Sequence, residues 1–327
     1  MTDLLKKLSY TSANTFPIKV LRHRNIPDRF GKILPVHLQL NPTNRCNLNC
    51  DFCSCSNRDR KLEWDFEEAK KTMEIASLLG CQAITITGGG EPLFYSKINE
   101  LIEFLHDRFG IQIGLVTNGT QFEKLYFESY KKLTWLRISH SDDRPFNSAY
   151  RTDLTQWLLL PNKIDWSFSY VLSSKPDYEN ICNIVEYANN KRFTHVRIVS
   201  NLLNLDHVPK MNPIKEYLRR AEVSDDLVIY QGRKEFVHGR KKCLISLLKP
   251  VIGADGKIYP CCSTQYAQTV PSLNYDESMC MGSAIDLYKI YQGQEYFDGS
   301  QCVRCYYDEY NELLDKMIVP IEHGAFV

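Results

Sequence analysis

No uninterrupted apolar run in this 327-residue chain approaches the roughly 18 residues of a membrane-spanning helix, so no membrane partner is expected. The first residues, MTDLLKKLSY, lack both an apolar signal core and a small-residue cleavage site, and a cytoplasmic, reducing location follows as an expectation. A charge bias is also missing: 40 Lys and Arg face 39 Asp and Glu, a net charge of +1. Nothing global therefore favours nucleic acid or an anionic surface. Two local basic stretches exist: Lys19 to Lys32, with Arg22, Arg24 and Arg29 between them, and Arg233 to Lys242. Each reads as a solvated face or as contact with an anionic substrate or partner. Internal repeats and low-complexity segments are absent. Cysteine is not scarce, however. Twelve in a reducing compartment point to metal ligation or redox work rather than disulfides.

The length predicts about two domains, or one large α/β barrel with an appendage. After a basic lead (residues 1–32), β-type and helix-type runs alternate. ILPVHLQLN, QAITITG, IQIGLVTN, WLRIS, IDWSFSYVL and HVRIVS read as strands. FEEAKKTMEIASLLG (ending on Gly80), KINELIEFLHDRFG, QFEKLYFESYKKL, DYENICNIVEYANNK and NPIKEYLRRAEV read as helices. Six β-α units predict a parallel sheet with helices outside, either a partial barrel or a doubly wound sheet. Ligands then gather at the carboxyl ends of the strands, where Cys46, Gly88, Asn118 and Ser139 fall. The alternation is lost near Leu227, which places residues 33–226 in one domain and 227–327 in a second, Cys-rich one. In the latter, VIGADGKIYPCC predicts a hairpin turning at Ala254-Asp255-Gly256.

Three cysteines, Cys46, Cys50 and Cys53, share the run CNLNCDFC at C-x3-C-x2-C spacing just after the first strand. A [4Fe-4S] cluster normally takes four thiolates, so three leave one iron open to a ligand, the mark of a reactive centre. Zinc is the competing reading, with Cys55 as the only nearby fourth ligand. Directly after the second strand comes TGGGEPLF. Its glycines permit close backbone approach, and a buried Glu91 carboxylate beside them would bind a cation. Near the C-terminus, Cys243, Gly256 and Cys261 form C-x12-G-x4-C, followed by the pair Cys302 and Cys305 with no cysteine beyond. A four-cysteine structural zinc site has similar spacing. Cys81 and Cys182 read as packing residues and Cys55 as a loose neighbour of the loop.

The first loop, with Phe52 before its last cysteine, and the GGEP element resemble the radical S-adenosylmethionine (radical SAM) superfamily. The C-terminal cysteines resemble its SPASM/Twitch subfamily in the short, one-auxiliary-cluster form. This resemblance implies a partial (β/α)6 TIM-like barrel followed by a small Twitch domain of a β-hairpin plus helix. It implies two [4Fe-4S] clusters, one on Cys46, Cys50 and Cys53 and an auxiliary one on Cys243, Cys261, Cys302 and Cys305. It further implies SAM contacts from Gly89, Gly90, Glu91, Pro92, Asn118 and Ser139, with His140 and Asp142 near the same rim. The implied reaction is reductive cleavage of SAM to a 5′-deoxyadenosyl radical, which abstracts hydrogen from an unactivated C–H bond. An electron donor such as flavodoxin or ferredoxin is implied as partner. Cys262 and Cys280 are candidate hydrogen-atom donors, as in peptide epimerases of the superfamily, and Cys280 could instead replace an auxiliary ligand.

Three functions remain open on the sequence. The leading one is modification of a peptide or protein residue by epimerisation, cross-linking or oxidation, although a 32-residue lead is short for a leader-binding module. The second is two-electron dehydrogenation of a small polar metabolite such as an aminocyclitol or a nucleotide. The third is a non-catalytic zinc or iron–sulfur binding protein.

Overall fold

The computed structural model describes residues 16–23, 31–56, 58–146, 155–158, 160, 164–201, 203, 210–232, 237–262, 264, 279–302 and 305–319. Arg24, Arg29, Arg233, Lys234 and most of the irregular 145–160 region lie outside them. Seven strands run parallel in chain order: β1 (His37–Leu40), β2 (Ala83–Ile86), β3 (Gln112–Thr117), β4 (Trp135–Ser141), β5 (Asp165–Leu172), β6 (His195–Ser200) and β7 (Val228–Gln231). Beyond β1 the sheet continues through β8 (Val251–Ile252), parallel to β1, then β9 (Lys257–Tyr259) and β10 (Gly282–Ser283), each antiparallel to its neighbour. The result is one ten-stranded, mostly parallel α/β sheet.

The sheet is larger than expected in two ways. The strand count of six rises to seven, because VIYQ pairs with β6. The hairpin forms where expected, with Gly256 at φ +67°, and it extends the parallel sheet through β8 and β1. Leu244, Ile245, Leu287 and Leu314 join the same apolar core as the parallel strands.

Helices start and stop where side chains provide for it. Asp65 caps the helix Phe66–Leu78 by accepting the Glu68 N–H at 2.9 Å, and Asp177 caps Tyr178–Asn190 through the Asn180 N–H at 2.9 Å. Gly110, at φ +64°, closes the helix Ile98–Phe109.

The run QFEKLYFESYKKL is not one helix. It forms a 3-10 turn, Phe122–Lys124, and a four-residue helix, Phe127–Tyr130, with Leu125 and Tyr126 extended between them. The buried Asn99 amide accounts for the break: its Nδ2 donates to Lys124 O at 2.9 Å and its Oδ1 accepts the Tyr126 N–H at 2.8 Å. The interruption lets Phe122 and Tyr130 both pack on Trp157 and Trp166. Asn99→Ala strands both backbone groups, so urea unfolding should show a loss of about 1–3 kcal/mol. A loss under about 0.5 kcal/mol would mean the break is fixed by aromatic packing alone.

Candidate active site

Cys46, Cys50 and Cys53 lie on the loop that leaves the carboxyl end of β1, all three half-buried. Two sets of donors hold the loop. On one side the buried Arg58 donates Nε–H to Asn44 O at 2.8 Å, and its Nη1 reaches Cys55 O at 2.5 Å and Cys53 Sγ at 3.7 Å. On the other, Asn118 Nδ2 reaches Asn47 Oδ1 at 3.0 Å and Cys46 Sγ at 3.9 Å, while the Leu48 N–H donates to Cys46 Sγ at 3.4 Å. Donors aimed at sulfur favour the thiolate.

The Cys55 thiol, read from sequence as a loose neighbour, hydrogen-bonds Cys53. That bond, helped by Arg58 against the effect of burial, holds Cys53 below the ordinary thiol range and pushes Cys55 up. Cys50 is pushed up by burial, with Arg144 acting against it. Among the described residues, no three His, Cys, Asp or Glu side chains converge as a metal-holding group. The donor chemistry, three thiols in one loop with N–H groups directed at two of the sulfurs, fits an iron–sulfur cluster.

The GGEP element clasps this loop. The Gly90 N–H donates to Thr43 O at 2.8 Å and the Glu91 N–H to Arg45 O at 2.7 Å. A Cβ on Gly90 would stand 2.1 Å from Arg45 O, so only glycine permits the contact. Glu91 is buried as expected, but its carboxylate is not a vacant cation site. Oε1 accepts from Thr117 Oγ1 at 2.6 Å and the Leu93 N–H at 3.2 Å, and Oε2 accepts the Asn118 N–H at 2.6 Å. Burial pushes it up to about 7 despite these donors and Arg144 nearby. Pro92 opens the short turn that Glu91 caps; Gly89 sits buried beside it.

Arg144 was not anticipated from sequence. Its buried guanidinium donates to Asn118 O at 3.4 Å and to Ser139 O, tying the ends of β3 and β4 together. The Ser139 side chain is half-buried at this rim. Asp142, read as a rim candidate, is a structural acceptor: it takes Tyr170 Oη at 2.7 Å and the Asp177 N–H at 2.9 Å. His140 is buried against Tyr170 with its imidazole lowered to about 3 by burial and by Arg144, hence neutral. A cleft of about 200 Å³ opens between the cysteine loop (Asp51, Phe52) and the ends of β4 to β6, including Asp143, Ser173 and Asn201.

The C-terminal cysteines gather elsewhere. Cys243, Cys302 and Cys305 are close enough for their charges to interact, and burial raises Cys243 to about 11 and Cys302 to about 12. The Cys305 N–H donates to Val237 O at 2.6 Å, and Asn311 Nδ2 lies 3.9 Å from Cys243 Sγ. Cys261 is a neighbour of Tyr307 and Lys249. Cys262 is exposed, with Sγ 3.6 Å from Tyr307 Oη. Cys280 turns onto Gly282, and the adjacent Met279 packs on Cys302. Cys262 thus neighbours Tyr307, two residues beyond Cys305, whereas Cys280 itself bonds only within its own turn among these contacts. Cys81 and Cys182 are buried.

Fold and site define a class: an α/β protein with a large, mostly parallel sheet that carries a three-cysteine loop at the carboxyl end of its first strand. The profile of the Radical SAM superfamily matches residues 40–212, more than half of the chain. The chain belongs to the radical SAM superfamily, whose members are enzymes that use SAM and a [4Fe-4S] cluster. Among curated relatives, an uncharacterised Methanocaldococcus jannaschii protein is 35% identical over 101 residues, 30% of this chain and 35% of that one. GTP 3′,8-cyclase of Staphylococcus saprophyticus is 26% identical over 282 residues, 72% of this chain and 81% of that one. Among solved structures, Streptococcus suis SuiB bound to precursor peptide SuiA superposes with a TM-score of 0.57 at 16% identity, over 93% of this chain and 79% of that one. This last is a likeness of fold. No helix of the described residues is long and apolar enough to cross a membrane.

Because Glu91 binds its proton more tightly folded (about 7) than unfolded (4.5), it makes the fold gain stability as pH falls from about 7 to 4.5. Above that window the buried carboxylate is charged and the gain is lost. Urea unfolding across pH 4.5–7.5 should show this slope in the parent and a flatter one in Glu91→Gln. Identical slopes would contradict the assignment.

Proposed function

We propose that this enzyme would hold a [4Fe-4S] cluster on Cys46, Cys50 and Cys53, with SAM at the iron these three leave free, and that it takes a hydrogen atom from a C–H bond of a polar substrate seated in the barrel. When bound, the reduced cluster and SAM supply the one-electron chemistry that an unactivated C–H bond requires. Arg58, Leu48 N–H and Asn118 stabilise negative charge on the loop sulfurs. Gly89, Gly90 and Pro92 shape the backbone against which SAM would lie, and Glu91 positions Asn118. The Ser139 hydroxyl is offered to the SAM carboxylate or ribose. The observation that carries this reading is the clasp of the GGEP element and the β3 end onto the three-cysteine loop.

The second cysteine set we read as a Twitch-type auxiliary site, with Cys243, Cys261, Cys302 and Cys305 as ligands of another [4Fe-4S] cluster and residues 227–327 as its domain. Four thiolates leave no iron open to substrate, so the site suits electron acceptance or support of the fold. Cys262 and Cys280, if hydrogen-atom donors, act from this end. A flavodoxin- or ferredoxin-type protein is the proposed electron source. The small polar substrate is favoured by alignment with a GTP cyclase over most of the chain and by the polar strand residues described below. A peptide substrate is the alternative, supported by likeness of fold.

Replacing Cys46, Cys50 and Cys53 together by Ala should abolish formation of 5′-deoxyadenosine from SAM under dithionite. Replacing Cys302 and Cys305 should remove about half of roughly eight irons per chain while SAM cleavage persists. Cleavage retained by the triple variant, or zinc with no iron in the parent, would overturn the proposal.

A further inference from the structure

The strand residues that keep partial solvent contact recur at alternate positions, as expected of side chains lining an internal space. They include Gln39 on β1, Thr85 on β2, Arg137 and Ser139 on β4 and Arg197 on β6. Register places Arg137 level with Ser167 and His195, and Arg197 one layer on, level with Ser139. Lys249 immediately precedes the Pro250–β8 segment, on the opposite side of the sheet order from β6. Besides burial, the charges of both Arg197 and Arg137 nonetheless lower its ammonium, so the three cations lie within electrostatic reach of one another. Lys19, from the N-terminal helix Phe16–Arg22, approaches Lys249 and Arg137 as well.

Three like charges are thereby enclosed together. No ion pair joins Arg137, Arg197 or Lys249 to a carboxylate among the described residues. Arg137 lies over the Trp135 ring at 5.0 Å and has Nη2 3.5 Å from His195 Nε2, and both Arg137 Nε and Arg197 Nε are buried without a hydrogen-bond partner. Burial and Arg197 lower Arg137 only to about 9, so it is charged at neutral pH. Enclosed, mutually repelling cations with unmet donors are costly unless an anion joins them, and guanidinium forks match the oxygens of phosphate and carboxylate.

We propose that Arg137, Arg197 and Lys249 form an anion-binding site in the barrel that receives a phosphate or carboxylate group of the substrate. This deepens the reading of the barrel as the reaction chamber and rests on it. The site lies on the strands themselves, below the loop cysteines at their carboxyl ends. The nearby Cys261 and Cys262 raise one rival, that these cations balance an auxiliary cluster instead.

The test is calorimetric titration of the anaerobically reconstituted enzyme with inorganic phosphate, and separately with malonate, in chloride-matched buffer. SAM cleavage is assayed in parallel, so that failure of the chamber and failure of the anion site are told apart. Binding of either anion, weakened at least tenfold in Arg137→Gln/Arg197→Gln and partly restored in Arg137→Lys/Arg197→Lys, supports the site; the tighter anion names phosphate or carboxylate. The Gln variant should also melt no lower than the parent without anion, since it removes repulsion. No binding beyond chloride by the parent overturns the proposal. Unchanged anion binding in the Gln variant does so too, as does loss of auxiliary iron without change in anion affinity.

Discussion

Three successive strand ends are tied to one another by the hydrogen bonds of a single two-residue step, Gly90–Glu91. Its two N–H groups donate to Thr43 O and Arg45 O beyond β1, and its carboxylate accepts from Thr117 and Asn118 at the end of β3. The cysteine loop begins one residue after Arg45, and Asn118 bonds onto that loop. Position of the sulfurs therefore depends on a buried acid whose burial is offset by three donors at 3.2 Å or less. A glycine is required beside it because the backbones meet closer than any Cβ allows.

Around this clasp the charges are divided. The mouth carries Asp51 and Asp143 on opposite walls of the cleft, and Arg144 bridges the carbonyls of Asn118 and Ser139 beneath them. Deeper, along β4, β6 and the approach to β8, the side chains are cationic. An elongated polar substrate with its anionic end inward would meet complementary charge along the barrel. Arg58 Nη1 lies 3.7 Å from Cys53 Sγ, while the Asp143 carboxylate acts against a thiolate at Cys50.

Local sequence signals conveyed much of this. Strand and helix periodicity located the first six parallel strands within a few residues. The three-cysteine loop and GGEP were legible because their chemistry is compressed into short runs. The break at Leu125–Tyr126 was not, since its cause, Asn99, comes from another helix. Nor was the continuation of the barrel sheet into β7 and β8, because two- to four-residue strands carry too little periodicity. Arg58 and Arg144 each join a nearby backbone carbonyl to one 14 or 26 residues away, a pairing that no spacing encodes. Arg137 and Arg197 did leave a trace: a lone arginine inside WLRIS and another inside HVRIVS, each among apolar neighbours in a parallel sheet, where charge is rare without a purpose.

The central claim, a loop cluster with one iron left for SAM, is tested most directly by electron paramagnetic resonance of the reduced, reconstituted enzyme before and after SAM is added. The variant lacking Cys302 and Cys305 is the sample of choice, so that only the loop cluster contributes. A [4Fe-4S] signal that changes shape on addition of SAM is the expected result. A signal indifferent to SAM, or a sample with no iron signal at all, would contradict the account.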